Sequence, residues 1–276
     1  MKKFLLTLAL LATTAILAAC NNTPDALPAW SPGEALTITI GASPRPHAEV
    51  LRYIAPQLQA TYNITLDIRE FTDFPVVNPA LADGTLDANY FQHRPFLNAS
   101  PYADDLHMID IVHIEPIGAY SHTLASIDDL PQGATIAIPN DATNHGRALL
   151  LLQANGLLEL NPDAGILATY TSHIAYNPLG LQFRALDASL LPRILDDPAI
   201  DMAIINTNHV LAGTDLNPMR DSLIIESSDS PFANGLVVRN ADSDHPAMAA
   251  LMRTLRSEEV REFLLREFDG AVVPMF

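Results

Sequence analysis

Apolar and polar residues alternate along Leu36-Thr37-Ile38-Thr39-Ile40 and again along Ile64-Thr65-Leu66-Asp67-Ile68, the period of two expected of half-buried strands. Between them the spacing lengthens. After the turn Gly41-Ala42-Ser43-Pro44-Arg45-Pro46, apolar residues recur at Val50, Leu51, Ile54 and Leu58, which predicts a helix from His47 that Pro56 is expected to interrupt. Short apolar runs at Thr135-Ile136-Ala137-Ile138, Met202-Ala203-Ile204-Ile205 and Gly235-Leu236-Val237-Val238 predict further strands. Near the end, Met248, Leu251, Met252 and Leu255 share one helical face, and Ser257 is placed to cap a last helix carrying Phe263 and Leu264. Strands alternating with helices predict an α/β architecture. No repeat or low-complexity tract interrupts the pattern.

The first twenty residues follow a different rule. Lys2 and Lys3 precede an apolar run from Phe4 to Ala19 that ends Leu17-Ala18-Ala19-Cys20. That run is short for a membrane span, and its charged start and small-residue exit mark residues 1–19 as a signal peptide. Cys20 is the single cysteine. Directly after Leu-Ala-Ala it is expected to carry a diacylglycerol, which with further acylation anchors the protein stably to a membrane. Residues 20–34, rich in Asn, Thr, Pro and Asp, are expected to form a flexible tether.

Roughly 256 of the 276 residues then remain, about the size of two moderate lobes. Losing the two lysines leaves 13 of the 15 basic residues, all arginine, against 32 acidic ones, a formal balance of −19. Such a surface repels nucleic acid and excludes it as a partner.

Two stretches concentrate polar residues of the kind that hold small molecules. One runs from Glu70-Phe71-Thr72-Asp73-Phe74 to Asp87-Ala88-Asn89-Tyr90-Phe91-Gln92-His93. The other, Pro139-Asn140-Asp141-Ala142-Thr143-Asn144-His145-Gly146-Arg147, reads as a strand end, a turn and a helix beginning near Thr143 or Asn144. A helix start offers free N–H groups, and an arginine there adds a bidentate partner for a carboxylate. Asn and Asp before a helix also serve as simple caps. Asp73, Asp87 and His93 could be imagined as a hydrolytic site, but no HExxH, Gly-x-Ser-x-Gly or phosphate loop is present, and the nine histidines form no i, i+4 pair. Neither an enzyme, a metal site nor a cofactor is expected.

Taken together, these segments, with Pro116-Ile117-Gly118-Ala119-Tyr120-Ser121 and Ile204-Ile205-Asn206, resemble the methionine-binding lipoproteins of ABC importers, the NlpA family. The resemblance runs from the lipobox to the C-terminus. It implies a two-lobed, type II periplasmic-binding-protein-like fold with the ligand cleft between lobes, lobe one holding 35–117 and 230–276 and lobe two 118–229. It implies capture of methionine, delivery to an ABC permease with its ATPase by hinge closure, and a lipid-anchored place in the cell envelope facing the periplasm or exterior. Carried over residue by residue, Arg147 would grip the ligand carboxylate with Asn144 close by. Asn206 and Asn234 would hydrogen-bond the amino-acid backbone, Glu115 would pair the ammonium, and Phe74, Phe91, His93 and Tyr120 would surround the side chain.

Each assignment has a structural counterpart. Arg147 could bridge an acid, Phe74 and Phe91 suit an ordinary core, Asn206 a turn, and His93 a bond to a backbone carbonyl. Tyr90 and Pro75 depart from the family's pattern and are expected to reshape the side-chain end of the pocket. A methionine derivative, a methionine-containing peptide, another apolar amino acid, or a surface interaction role on the same fold are the alternatives.

Overall fold

The computed structural model describes residues 26–276. The expected signal peptide and the expected lipidation site, Cys20, lie outside the described residues. The described strands, in chain order, are β1 (Leu36–Ala42), β2 (Ile64–Glu70), β3 (Ala88–His93), β4 (Leu106–Ile114), β5 (Gly118–Tyr120), β6 (Thr135–Pro139), β7 (Glu159–Leu160), β8 (Ile174–Tyr176), β9 (Gln182–Leu186), β10 (Met202–Ile205), β11 (Ile224–Ile225), β12 (Asn234–Arg239) and β13 (Val273–Pro274).

β1 and β2 lie parallel in register from Leu36 opposite Ile64 to Ala42 opposite Glu70. Parallel neighbours need a crossover, and the helix Glu49–Tyr62 supplies it. Its Val50, Leu51, Ile54 and Leu58 are all buried, at about 1.5–3 kcal/mol of transfer free energy each. Pro56 does not interrupt this helix as expected. It sits on the exposed face, where water can satisfy the carbonyl that lacks its N–H partner. Asn63, at φ 57°, ends the helix in the left-handed conformation.

The first sheet has the order β13-β4-β12-β3-β1-β2, and the second β11-β5-β10-β6-β9. β12, which comes late in the chain, lies antiparallel between β3 and β4. The chain thus leaves the first sheet after β4 and returns at β12. Each lobe has its own core. In the first, Ile38 and Ile40 pack with Leu51, Leu58, Leu251 and Leu255, and in the second Ile136 and Ile138 pack with Leu149, Leu152, Met202 and Ile204. Ser257 caps the helix Glu258–Glu267 by accepting from the Val260 N–H.

The expected tether is corrected at its end. Trp30 is buried in the first core, its indole N–H donates to the Glu34 carbonyl at 2.7 Å, and the Leu27 N–H donates to Asp242. A buried indole with its N–H satisfied docks this stretch onto lobe one, against the tendency of its polar composition. No described helix is long and apolar enough to cross a membrane.

Candidate functional site

The polar residues of the site gather where strands end. β6 runs into Asp141, whose side chain accepts from the Asn144 N–H and caps the helix Ala142–Ala154. β10 ends at Asn206, which precedes the helix Thr207–Gly213. β3 ends at His93, and because β12 runs antiparallel to it, Asn234 at the start of β12 lies opposite His93. The carboxyl ends of parallel strands in both lobes therefore face one cleft, the position at which open α/β sheets bind ligands. Between them is a narrow cavity lined by Phe74, Phe91, Gln92, His93, Phe96, Glu115, Asn144, Arg147, Asn206, Thr207, Asn208 and Asn234.

Arg147 is 2% exposed and held on three sides. Its Nε donates to the Glu226 carboxylate at 3.0 and 3.2 Å, and its Nη2 to the same carboxylate and to the Glu115 carbonyl at 2.8 Å. The Phe232 ring lies 4.5 Å from the guanidinium carbon. None of these bonds uses Nη1, and Arg147 lines the cavity. Glu115 and Phe232 belong to the two segments by which the chain leaves and re-enters lobe one. Glu226, just after β11, bonds from its backbone N–H to the Ile117 carbonyl. The guanidinium is thus built into the connection between lobes.

Gly146 lets this helix approach its neighbour. A Cβ there would stand 2.1 Å from the Ile166 carbonyl oxygen, closer than any real contact. Gly146→Ala is expected to lose about 1–3 kcal/mol of stability from overpacking, read as a lower thermal midpoint. An unchanged midpoint would show that the backbone at 165–168 yields freely.

A hydrogen-bonded chain joins the lobes. The Phe96 N–H donates to His93 Nδ1 at 3.1 Å, so the His93 proton sits on Nε2, which donates to Asn144 Oδ1 at 3.3 Å. Asn206 Nδ2 donates to the same oxygen at 2.9 Å, while Asn144 Nδ2 donates to Asp141. Asn206 Oδ1 is buried without a hydrogen-bond partner among the described residues. A buried acceptor left open beside a cavity marks a place for a ligand donor. Burial, reinforced by Arg147, lowers the His93 pKa to about 3.

The opposite wall is aromatic. Phe74 and Phe91 lie 5.9 Å apart, and Phe96 stands edge-on to both. Phe74 and Phe91 also pack with Val77, Leu81 and Leu97. They serve core and cavity together.

A second polar cluster lies beneath Glu115. His113 Nε2 is 2.8 Å and His47 Nε2 3.2 Å from the same Glu115 oxygen, and the Tyr90 hydroxyl bonds His113 Nδ1. His47, His113 and Glu115 are the one group of metal-ligating type found together among the described residues. Burial lowers His47 to about 4 and His113 to about 3, and pushes Glu115 up against the opposing pull of His47 and Arg147. Both imidazoles are neutral near pH 7.

Of the nine residues singled out from sequence, the fold brings eight to this cavity: Arg147, Asn144, Asn206, Asn234, Phe74, Phe91, His93 and Glu115. Tyr120 is corrected. It is fully buried in lobe two among Ala137, Leu191, Ala203 and Val210, because the antiparallel pairing of β5 with β10 turns its ring into that core. Tyr90 and Pro75 do not line the cavity either. Tyr90 faces His113, and Pro75 borders a separate groove with Pro79, Pro101 and Tyr102. Asn89 and Gln92 of the polar motif bond each other and Asn78 in a buried amide cluster. Sequence reasoning missed Glu226, Phe232, His47 and His113. For His113 a signal existed, since residues two apart at a strand end share a face with Glu115.

A cavity closed between two α/β lobes, with polar groups supplied from the strand ends of both, defines a type II periplasmic-binding-protein-like solute receptor. The chain belongs to the NlpA lipoprotein family, whose profile matches residues 38–276. It is 38% identical over 98% of its length to 97% of a probable D-methionine-binding lipoprotein, MetQ, of Vibrio cholerae. Among solved structures, a nutrient-binding protein of Burkholderia cenocepacia bound to methionine is 40% identical, with TM-score 0.82 over 87% of this chain and all of that one. A periplasmic substrate-binding protein of an ABC transporter from Coxiella burnetii is 34% identical, with TM-score 0.81 over 86% of this chain and all of that one.

Proposed function

We propose that this chain captures methionine between its lobes and delivers it to an ABC importer, acting by binding and not by catalysis. The observation that carries this reading is the division of one cavity into a cationic and amide end, with Arg147, Asn144, Asn206 and Asn234, and an aromatic end, with Phe74, Phe91 and Phe96. A zwitterion removed from water needs its charges met, and a thioether gains about 0.3–1.5 kcal/mol from each aromatic contact. Arg147 takes the carboxylate through its open Nη1, Asn206 Oδ1 and Glu115 take the ammonium, and Asn234 bonds the backbone atoms. The kinship with the methionine-bound Burkholderia protein supports the choice of ligand.

Lobe one (35–117 and 230–276) and lobe two (118–229) close on the ligand by hinge motion, and the His93 to Asn144 bond belongs to the closed form. The permease and its ATPase recognise that form. Cys20 carries the lipid that holds the protein on an envelope membrane, facing the periplasm or exterior.

A thermal-shift series on protein unfolded and refolded to strip bound ligand tests this. Methionine at a hundredfold over its dissociation constant adds about 2.7 kcal/mol, which for a chain of this size raises the midpoint by roughly 5–10 °C. A rise with methionine and none with alanine or glutamate is expected. No rise with methionine would remove this ligand.

A further inference from the structure

We propose that Tyr90, His113 and His47 are positioning residues that fix the Glu115 carboxylate as a receptor for a primary ammonium, so that the site selects free α-amino acids over ligands whose amine is missing or acylated. This rests on the methionine reading of the cavity and adds what determines its amine end.

The two imidazoles converge on one oxygen of the carboxylate. His113 Nε2 lies 2.8 Å and His47 Nε2 3.2 Å from Glu115 Oε1. The His113 contact is a hydrogen bond and the His47 contact a close approach; neither uses Oε2, and Glu115 lines the cavity. A carboxylate oxygen only accepts, so His113 carries its proton on Nε2, and its Nδ1 accepts from the Tyr90 hydroxyl. Tyr90 is fully buried and stands edge-on to both rings, 4.7 Å from His47 and 5.4 Å from His113. With its ring packed there and its hydroxyl bonded, His113 has one orientation. His47 packs against the carboxylate, and its Nε2 is held by Asn234 Oδ1 at 3.4 Å.

The charge balance points the same way. Among the described residues the basic side chains within ion-pair distance of the Glu115 carboxylate are these two histidines alone, and burial keeps them neutral. Arg147 bonds the Glu115 backbone carbonyl and pairs directly with Glu226, so its pull reaches the Glu115 carboxylate only at longer range. A buried carboxylate held by neutral donors gains most from a cation that arrives with the ligand. An ammonium brings that charge and three donors, and Asn206 Oδ1 is a second open acceptor on the same cavity. Acylation removes the charge.

The test is a ligand cycle by titration calorimetry on the full chain in detergent, comparing methionine with its des-amino analogue 4-(methylthio)butanoate. Wild type should prefer methionine by a hundredfold or more. His113→Phe should cut that preference below tenfold by weakening methionine alone. Tyr90→Phe, which keeps the ring and removes the hydroxyl, should fall between and serves if His113→Phe does not fold. His113→Gln, whose amide can still donate to Glu115, should recover part of the preference. In a Glu115→Gln background His113→Phe should have no further effect on the ratio.

Equal weakening of both ligands would mean that the histidine only supports the fold, and the proposal would be wrong. Equal wild-type affinity for both ligands would overturn it while leaving methionine binding in place. Failure to bind methionine at all would remove both readings. A midpoint raised by zinc, reversed by EDTA and lost in His113→Phe would make the three donors a metal site instead, which also overturns it.

Discussion

Arg147→Ala is expected to weaken methionine binding by about 2–5 kcal/mol, roughly thirtyfold to several thousandfold, the cost of leaving one partner of a buried charge pair alone. The ligand carboxylate would lose its Nη1 donor, and Glu226 would lose the cation that it holds through two nitrogens. Arg147→Lys should recover little. A lysine supplies charge without the fork that bonds Glu226, the Glu115 carbonyl and the ligand together. Calorimetry on variants with an unchanged circular dichroism spectrum makes the measurement. Affinity within threefold of wild type would mean that the Arg147 to Glu226 pair is a structural bridge and that the carboxylate is held elsewhere.

A comparable effect is expected on stability as pH falls. His93 and His209 are buried, and desolvation lowers their pKa to about 3 and about 4, against about 6.5 in the unfolded chain. Below pH 6.5 the unfolded state takes up protons that the folded state refuses. Stability present above pH 6.5 is therefore lost as pH falls toward 4, by about 3 kcal/mol for each of these two residues at the limit of about 1.4 kcal/mol per pH unit. His47 and His113 act in the same direction. Their share is reduced because Glu115, whose pKa is raised in the fold, binds its proton earlier in the native state and opposes them. Several kilocalories are a large part of the roughly 5–15 kcal/mol that holds a typical protein folded. Urea midpoints measured from pH 7 to 4 should fall steeply, and His209→Gln should flatten the fall by about one proton. A flat profile to pH 4.5 would mean that these imidazoles reach water in the folded protein.

The parts legible in the sequence were those governed by neighbours along the chain. Alternation at Leu36 to Ile40 and helical spacing from Val50 to Leu58 report directly which face is buried, and the burial found there follows that pattern. Ser257 and Asp141 act through N–H groups three residues away, so their capping role is written locally. β4 was not read, because polar His107, Asp110 and His113 break its alternation and the strand is supported from both sides by β12 and β13. Trp30 escaped for a related reason. Its flanking residues look like linker, and only the core of lobe one gives it a place to dock.

The sequence by itself determined the α/β class, the residue types at the strand ends and, through its kinship, the family. Tertiary structure decided which of those residues share a cavity. It turned Tyr120 into the second core and Tyr90 toward His113. It set Glu226 against Arg147 across 79 residues and joined His47 to a carboxylate on the far side of the first sheet's crossover. Pairings of that range leave no periodic trace, because each is produced by two surfaces meeting and not by the chain's local repeat. The physical reason is that propensity and capping act within a few residues, whereas the desolvation that lowers an imidazole or orients a guanidinium exists only after the lobes have packed.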